Sequence, residues 1–217
     1  MLYLVATPIG DFNEISLRAL DVLKKAEVII CESTKETSQL LKFHQITGKK
    51  YEVLDEHSQA DDLKTLLELC RNHEVALVSD CGTPGFCDPG ADLVRLCSRE
   101  KILVKSVLGA SSLMGLISLS GQRLDQFLFR GFLPAENKAR ELALQELRKQ
   151  KQNIILMDTP YRLQKTLNEV EKHFSEKEIV LALDLSTENE LVLRGKPAQV
   201  RKNNLPEKAE FMLLILK

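Results

Sequence analysis

The stretch VALVSDCGTPGFCDPG, Val75 to Gly90, decides how the rest of the chain is read. Its first part, VALVS (Val75–Ser79), is a short apolar run that stops at turn-forming residues, the pattern of a buried strand. The second part, SDCGTPGFCDPG (79–90), packs three glycines, two prolines and two aspartates into twelve residues. A strand-to-helix connection ordinarily needs about two to six residues, so this one is built for more than connection. Gly82, Gly85 and Gly90 open backbone angles closed to other residues, while Pro84 and Pro89 fix their own. The pattern predicts a stiff ledge with exposed main-chain amides, better suited to holding an adenosine or a carboxylate than to catalysis. Asp88 followed by Pro89 marks the start of the next helix, a cap and then a first-turn proline.

Working outward, the same alternation of apolar runs and helical spacing extends through the first half. LYLVA (Leu2–Ala6), VIIC (Val28–Cys31) and ILVKSV (Ile102–Val107) read as strands. Ser16 is placed to cap a helix with Leu17, Leu20 and Leu23 on one face, and Ser33 or Thr34 to cap the next. Leu63, Leu66, Leu67 and Cys70 mark a third helical face, and another helix begins at about Ala110. Strands separated by crossover helices imply a mostly parallel sheet, and ligands on such sheets sit beyond the carboxyl ends of the strands. The loops after Ala6, Cys31, Ser79 and Val107 are therefore the candidate site. Taken alone, ATPIGD (6–11) reads as a plain turn, because it is not the G-x-G-x-x-G fingerprint, and LGASS (108–112) reads equally well as a helix cap or a small-ligand contact.

The second half has another texture. QFLFRGFLP (126–134) leads into a charged helix over 138–151, NIILM (153–157) is a strand, and Thr159-Pro160 opens a further helix. IVLAL (179–183), ELVLR (190–194) and FMLLIL (211–216) read as strands with few helices between them. The fold expected is therefore α/β in two domains: 1–122 with a mostly parallel sheet and flanking helices, 123–217 with a mixed α/β sheet.

Composition narrows the function classes. The 217 residues are 44% hydrophobic and 28% charged, ordinary for a globular chain. No apolar run approaches the roughly 20 residues that span a bilayer, and MLYLVATPIG (1–10) has no basic flank, which argues against a signal peptide and for a first strand. A net charge of -1, from 30 basic and 31 acidic residues, lacks the basic excess of a dedicated nucleic-acid binder. The five cysteines are odd in number and irregularly spaced, which argues for a reducing compartment, here the cytoplasm. Cys81 and Cys87 are too far apart in sequence for a common zinc spacing and lack a matching pair, so no metal is expected.

With these segments in hand, the chain resembles the tetrapyrrole methylase family, in its ribosomal small-subunit RNA methyltransferase I branch. The residues that carry the resemblance are LYLVATPIGD at 2–11, ESTK at 32–35, SDCGTPGFCDPG at 79–90, LGASS at 108–112, FRGFLP at 129–134 and MDTPYR at 157–162. Their order and spacing match from end to end, and the chain is similar to a short member without a C-terminal extension. The resemblance implies two α/β domains holding S-adenosylmethionine in the cleft between them, and usually a homodimer. Carried over by position, it implies cofactor contacts from Pro8 and Ile9, from Cys81, Gly82, Thr83 and Phe86, from Ser111 and Ser112, and from Asp158 and Leu185, most of them through main chain.

The branch pattern E-D-T-R reads Glu32-Ser33-Thr34-Lys35 here, P-G-P-S-A reads LGASS, and Y-E reads Met157-Asp158. Two readings of function stand beside these departures. One is methylation of a ribose 2′-hydroxyl in small-subunit ribosomal RNA; the other is a divergent member that methylates a small, tetrapyrrole-like molecule or only binds the cofactor. For a hydroxyl acceptor, Glu32 is the candidate base, against a plain ion pair with Lys35. Lys35 and Arg162 are candidate substrate contacts, against solvated surface cations. His57, in the polar run DEHSQADD, reads as a surface histidine, and the 138–151 helix, with Arg140, Arg148 and Lys149 among Glu141 and Glu146, as a solvated face. A nicotinamide enzyme is disfavoured because the required glycine fingerprint is missing.

Overall fold

A computed structural model describes residues 1–217 and divides them into two compact units, Met1–Ser111 and Ser112–Lys217. In the first unit five short strands, β1 (Leu2–Val5), β2 (Val28–Cys31), β3 (Lys50–Val53), β4 (Val75–Val78) and β5 (Val104–Val107), form one sheet in the order β3-β2-β4-β1-β5. Every pairing in it is parallel. Both faces of such a sheet are covered, so the central strands β2 and β4 are buried at every position.

Alternation of side chains sorts the core into two layers. Ile29, Cys31, Ala76 and Val78 pack with Ala19 and Leu23 of α1 (Leu17–Lys25) and with Leu40 and Leu41 of α2 (Thr34–Phe43). Val28, Ile30, Val75 and Leu77 pack on the other face with Leu66 and Cys70 of α3 (Ala60–Asn72) and with Leu93 and Cys97 of α4 (Gly90–Arg99). The starts of α1 and α2 are fixed by side-chain caps. Ser16 Oγ accepts from the Ala19 amide at 3.1 Å, and Ser33 Oγ, rather than Thr34, accepts from the Glu36 amide at 3.3 Å.

Sequence reading passed over β3. Its residues, KYEV, form no apolar run, because an edge strand exposes one side and pairs only with β2, Val28 opposite Lys50.

In the second unit, β6 (Phe127–Gly131), β7 (Asn153–Asp158), β8 (Ile179–Leu183), β9 (Leu191–Gly195) and β10 (Phe211–Ile215) form a sheet in the order β6-β7-β10-β8-β9. β6 and β7 run parallel and the other neighbours antiparallel, which is the mixed sheet expected. One face packs on α6 (Asn137–Arg148), α7 (Leu163–Phe174) and the short α8 (Pro197–Arg201) through Leu144, Leu167, Val170 and Val200. The opposite face, with Ile155, Val180, Ala182, Met212 and Leu214, receives Leu116 of α5 (Ser112–Leu119). That packing places α5 in the second unit, whereas the sequence set the boundary after it, near Gln122. No helix is long and apolar enough to cross a membrane.

One surface assignment is overturned. Arg140, expected on the solvated face of its helix, is fully buried and bonded to Asp158, Glu169 and Thr166. A charged residue in a charge-rich helix gives no sign that its partners lie on other elements.

Candidate active site

The sheet order of the first unit selects the place for a ligand. The chain leaving β1 passes through α1 toward β2, while the chain leaving β4 passes through α4 to β5, in the opposite direction along the sheet. β1 and β4 are neighbours, so the crevice beyond their carboxyl ends is the topological switch point. Three loops meet there: 6–11 after β1, 79–90 after β4 and 108–112 after β5.

Main-chain bonds knit these loops together. The Thr7 amide donates to Gly82 O at 2.9 Å and the Gly82 amide donates back to Thr7 O at 3.1 Å. The buried Thr7 hydroxyl adds a bond to Ser79 O at 3.0 Å. On the other side, the Thr83 hydroxyl donates to Ala110 O at 3.1 Å, and Gly109 lies so close to Ala6 that a Cβ on it would sit 3.0 Å from the Ala6 Cβ.

The 79–90 loop is also tied to itself. Both Asp88 carboxylate oxygens accept from the Gly85 amide, at 2.7 and 2.8 Å, and Oδ1 also accepts from the Gly90 amide at 3.1 Å. Because that carboxylate closes the loop, Pro89 takes the cap position of α4 and Gly90 the first turn, one residue later than the sequence suggested. Gly90 is buried beneath Leu77, whose Cδ2 would lie 2.8 Å from an added Cβ. Gly82 and Gly85 both have φ of +81°, which glycine adopts without strain, and Cys87 shares this left-handed region at +79°. Cys81, Thr83, Gly85 and Phe86 are exposed along the loop, while Gly82 and Gly90 are buried and the amides of Gly82, Gly85 and Gly90 are bonded within these loops. Pro8 is buried, and Ile9 and Ser111 are half-buried.

Glu32 follows β2 directly. Its Oε1 accepts from the Ser79 hydroxyl at 2.9 Å, so the base candidate is held by the first residue of the long loop. Lys35 is not its partner; that ammonium is exposed and lies 3.4 Å from Glu36. The Asp80 carboxylate accepts from the Ser33 amide at 3.0 Å, locking the same two loops together a second time. Glu32 borders a pocket of about 610 Å³ lined also by Asp55, Glu56, His57, Cys87, Asp88 and Pro89. Partial burial pushes the Glu32 carboxyl above the usual carboxylate range, against the Ser79 hydrogen bond, and the charges of Asp80 and Asp88 push the same way.

That shift has a measurable sign. A carboxyl whose pKa is raised by folding holds its proton better in the folded chain than in the unfolded one. The stabilisation is complete below the ordinary carboxylate range and is lost as pH rises through the raised value. Near pH 8 the half-buried charge is therefore a cost, and Glu32→Gln is expected to raise Tm there, with the gap narrowing toward pH 4. Thermal scans across that range check it; a Tm difference independent of pH would contradict the burial argument.

The remaining expected site residues belong to the second unit. Ser112 opens α5. Asp158 ends β7 with its side chain 1% exposed; Oδ1 accepts from the Thr159 amide at 2.9 Å and from Arg162 at 3.2 Å, and Oδ2 faces Arg140 at 2.8 Å. Both carboxylate oxygens are thus engaged internally, and Arg162 is engaged with them. Leu185 is buried between Asp184 and Ser186, which both have positive φ. Sequence reasoning missed Thr7, Ser79, Asp80 and the closing role of Asp88. Only Asp88, next to a proline and a glycine, carried a local signal.

Residues 1–200 match the family described as Tetrapyrrole (Corrin/Porphyrin) Methylases. A protein of Synechocystis sp. named ribosomal RNA small subunit methyltransferase I is 35% identical over 218 residues, 99% of this chain and 78% of the relative. A protein of Leptospira biflexa with the same name is 34% identical over 99% of this chain and 90% of its own length. Among solved structures, uroporphyrin III C-methyl transferase from Thermus thermophilus aligns with a TM-score of 0.66 at 18% identity, covering 100% of this chain and 97% of that one. The methyltransferase CobJ aligns at 0.67 and 12% identity, covering 100% and 93%. At these identities the structures speak for the fold, and the sequence matches for the family. The chain belongs to the tetrapyrrole methylase family and is a methyltransferase, a class whose reaction implies S-adenosylmethionine as methyl donor.

Proposed function

We propose that this methyltransferase transfers a methyl group to a ribose 2′-hydroxyl of small-subunit ribosomal RNA. The observation that carries the reading is the near full-length likeness to relatives named for that RNA. The placement of Glu32 at the end of β2, half-buried on a pocket wall, supports the choice of a hydroxyl acceptor.

The three interlocked loops suit the methyl donor. Their crest exposes Cys81, Thr83, Gly85 and Phe86, with small or apolar side chains, and Gly85 has open space where a side chain would stand. Cys81, Gly82, Thr83 and Phe86, with Pro8, Ile9 and Ser111, would hold the adenosine and amino-acid ends. When bound, the sulfonium supplies an electrophilic methyl carbon. The protein's part is alignment and removal of a proton. The Glu32 carboxylate takes the proton of the acceptor hydroxyl, and the Ser79 hydroxyl keeps Oε1 pointed while it does so. Removing that base lowers the rate by about 10²–10⁴-fold. Lys35, exposed on α2 beside Glu36, would reach an RNA phosphate. A homodimer acting in the cytoplasm completes the reading.

A second reading rests on one observation: four of the seven residues lining the pocket, Glu32, Asp55, Glu56 and Asp88, are acidic. Acidic walls repel a phosphodiester and favour a small or cationic acceptor. Methyl transfer from labelled S-adenosylmethionine to small subunits taken from a strain lacking the protein separates the two. Label in the small-subunit RNA, released as 2′-O-methylated nucleoside, is the expected result. Unlabelled RNA beside a protein that binds the donor favours the second reading. RNA binding should also weaken steeply with salt, whereas binding of a small neutral acceptor should not.

A further inference from the structure

The second unit carries a pocket of its own, lined only by its own residues. About 510 Å³ in volume, it lies at the connection of β8 to β9 and the segment that joins α8 to β10. Leu183, Leu191, Leu205 and Pro206 give it apolar walls, and Asn189 and Asn204 add carboxamides on exposed residues. Lys208 lines it as well, and its Nζ lies 5.3 Å from the centroid of the Tyr161 ring, a cation–π contact. Tyr161 belongs to the single-turn helix Pro160–Arg162 after β7 and is 80% exposed, so the ammonium takes one face of the ring and solvent has the other. Gln164, at the start of α7, donates from Nε2 to Pro206 O at 2.8 Å and ties the two segments to each other.

The chemistry of this surface selects among ligands. A site for phosphate or an acidic peptide would gather several cations, whereas Lys208 is the one cation among the lining residues and Asp184 offsets its charge. A groove for an apolar peptide would have no use for two carboxamides. A nucleotide uses all that is present: a flat ring to stack on, amides that donate and accept at a base edge, apolar walls, and one cation for a phosphate. Asp184 accepts from the Glu210 amide at 3.0 Å through Oδ1 alone, which leaves Oδ2 to accept from an imino or exocyclic amino group. An open ring face also discriminates between strands. Bases in a duplex are already stacked on one another, and those of a single strand are not.

We propose that Tyr161 and this pocket form a docking site for two successive nucleotides of single-stranded RNA. One base stacks on the open face of Tyr161, the next enters the pocket against the carboxamides of Asn189 and Asn204, and Lys208, common to both places, takes the phosphate that joins them. The proposal rests on the reading that the acceptor is RNA, and it adds where a part of that RNA is held.

The full chain tests it with an end-labelled single-stranded RNA of mixed sequence, about twelve nucleotides long, followed by anisotropy. The chain has no tryptophan and three tyrosines, Tyr3, Tyr51 and Tyr161, so quenching of tyrosine emission on binding reports stacking directly. Tyr161→Ala is expected to weaken binding about tenfold. Tyr161→Phe keeps the stacking ring and should bind within about twofold, yet lose the quench. Lys208→Ala should flatten the slope of log affinity against log salt by about 0.7, the value of one single-strand phosphate. Both side chains are exposed, so none of these changes should move Tm. Binding by Tyr161→Ala within about twofold of the parent, or a quench that survives in Tyr161→Phe, overturns the proposal and leaves the RNA reading standing. The same RNA bound as tightly when annealed to its complement, or displaced by an equal concentration of a nucleoside monophosphate, overturns the assignment to single-stranded RNA. No binding by the unsubstituted chain overturns the docking site, and methyl transfer to small subunits then decides the RNA reading by itself.

Discussion

Replacing Gly82 with arginine is expected to weaken S-adenosylmethionine binding by roughly a hundredfold or more while leaving the chain folded. Gly82 holds φ at +81°, and its amide and carbonyl form the reciprocal pair with Thr7 that joins the first loop to the long one. A non-glycine residue in this region costs about 1–2 kcal/mol, small beside the roughly 5–15 kcal/mol that holds a domain together. An added Cβ would lie 3.8 Å from Ala110 O, ordinary contact, so Gly82→Ala should bind the donor within a few-fold. The arginine head, by contrast, must leave over the ledge and bring a positive charge to the place proposed for a sulfonium. Two such charges a few ångströms apart repel by about 2–4 kcal/mol at an effective dielectric of 20. Calorimetry on the three proteins decides the matter, and donor binding by Gly82→Arg at near-parental affinity would remove the ledge from the site.

The second large effect concerns stability. Arg140→Ala should cost about 3–5 kcal/mol, because it leaves Asp158, 1% exposed, and Glu169, 19% exposed, without the cation they share. For a chain of this size that is a fall in Tm of about 10 °C. Urea unfolding followed by circular dichroism measures it. Arg162 still faces Asp158 Oδ1, so the loss should stop short of abolishing the fold. A loss below about 1 kcal/mol would mean that solvent reaches the cluster and screens it, as at an exposed pair.

These two residues mark the limits of what the sequence makes legible. Gly82 lies in a run so dense in glycine and proline that its conformation and its neighbours' role could be read locally. The parallel sheet was legible for the same reason: β2 and β4 are short, wholly apolar and bounded by turns. Edge strand β3 was not, because an exposed strand needs no apolar run. Arg140 was opaque, since its partners come from a strand and a helix that the sequence places 18 and 29 residues away, as Asp158 and Glu169. The link between Glu32 and Ser79 was equally hidden, as it depends on β2 and β4 lying side by side. Local backbone chemistry is written in local composition; pairing across the sheet is not.

The distribution of sulfur has a practical corollary. None of the five cysteines is in a disulfide; Cys31, Cys70 and Cys97 are buried, while Cys81 and Cys87 are exposed, and both of those stand on the 79–90 loop. The native chain therefore carries two alkylation handles on the ledge and none elsewhere on its surface. Partial burial, aided by the neighbouring Asp88, pushes the Cys87 thiol up, so its thiolate, and with it its labelling, gains as the medium turns alkaline. Occupancy of the ledge can be followed by mass spectrometry as shielding of these two sulfurs from a maleimide, with no engineered reporter and no label on the ligand.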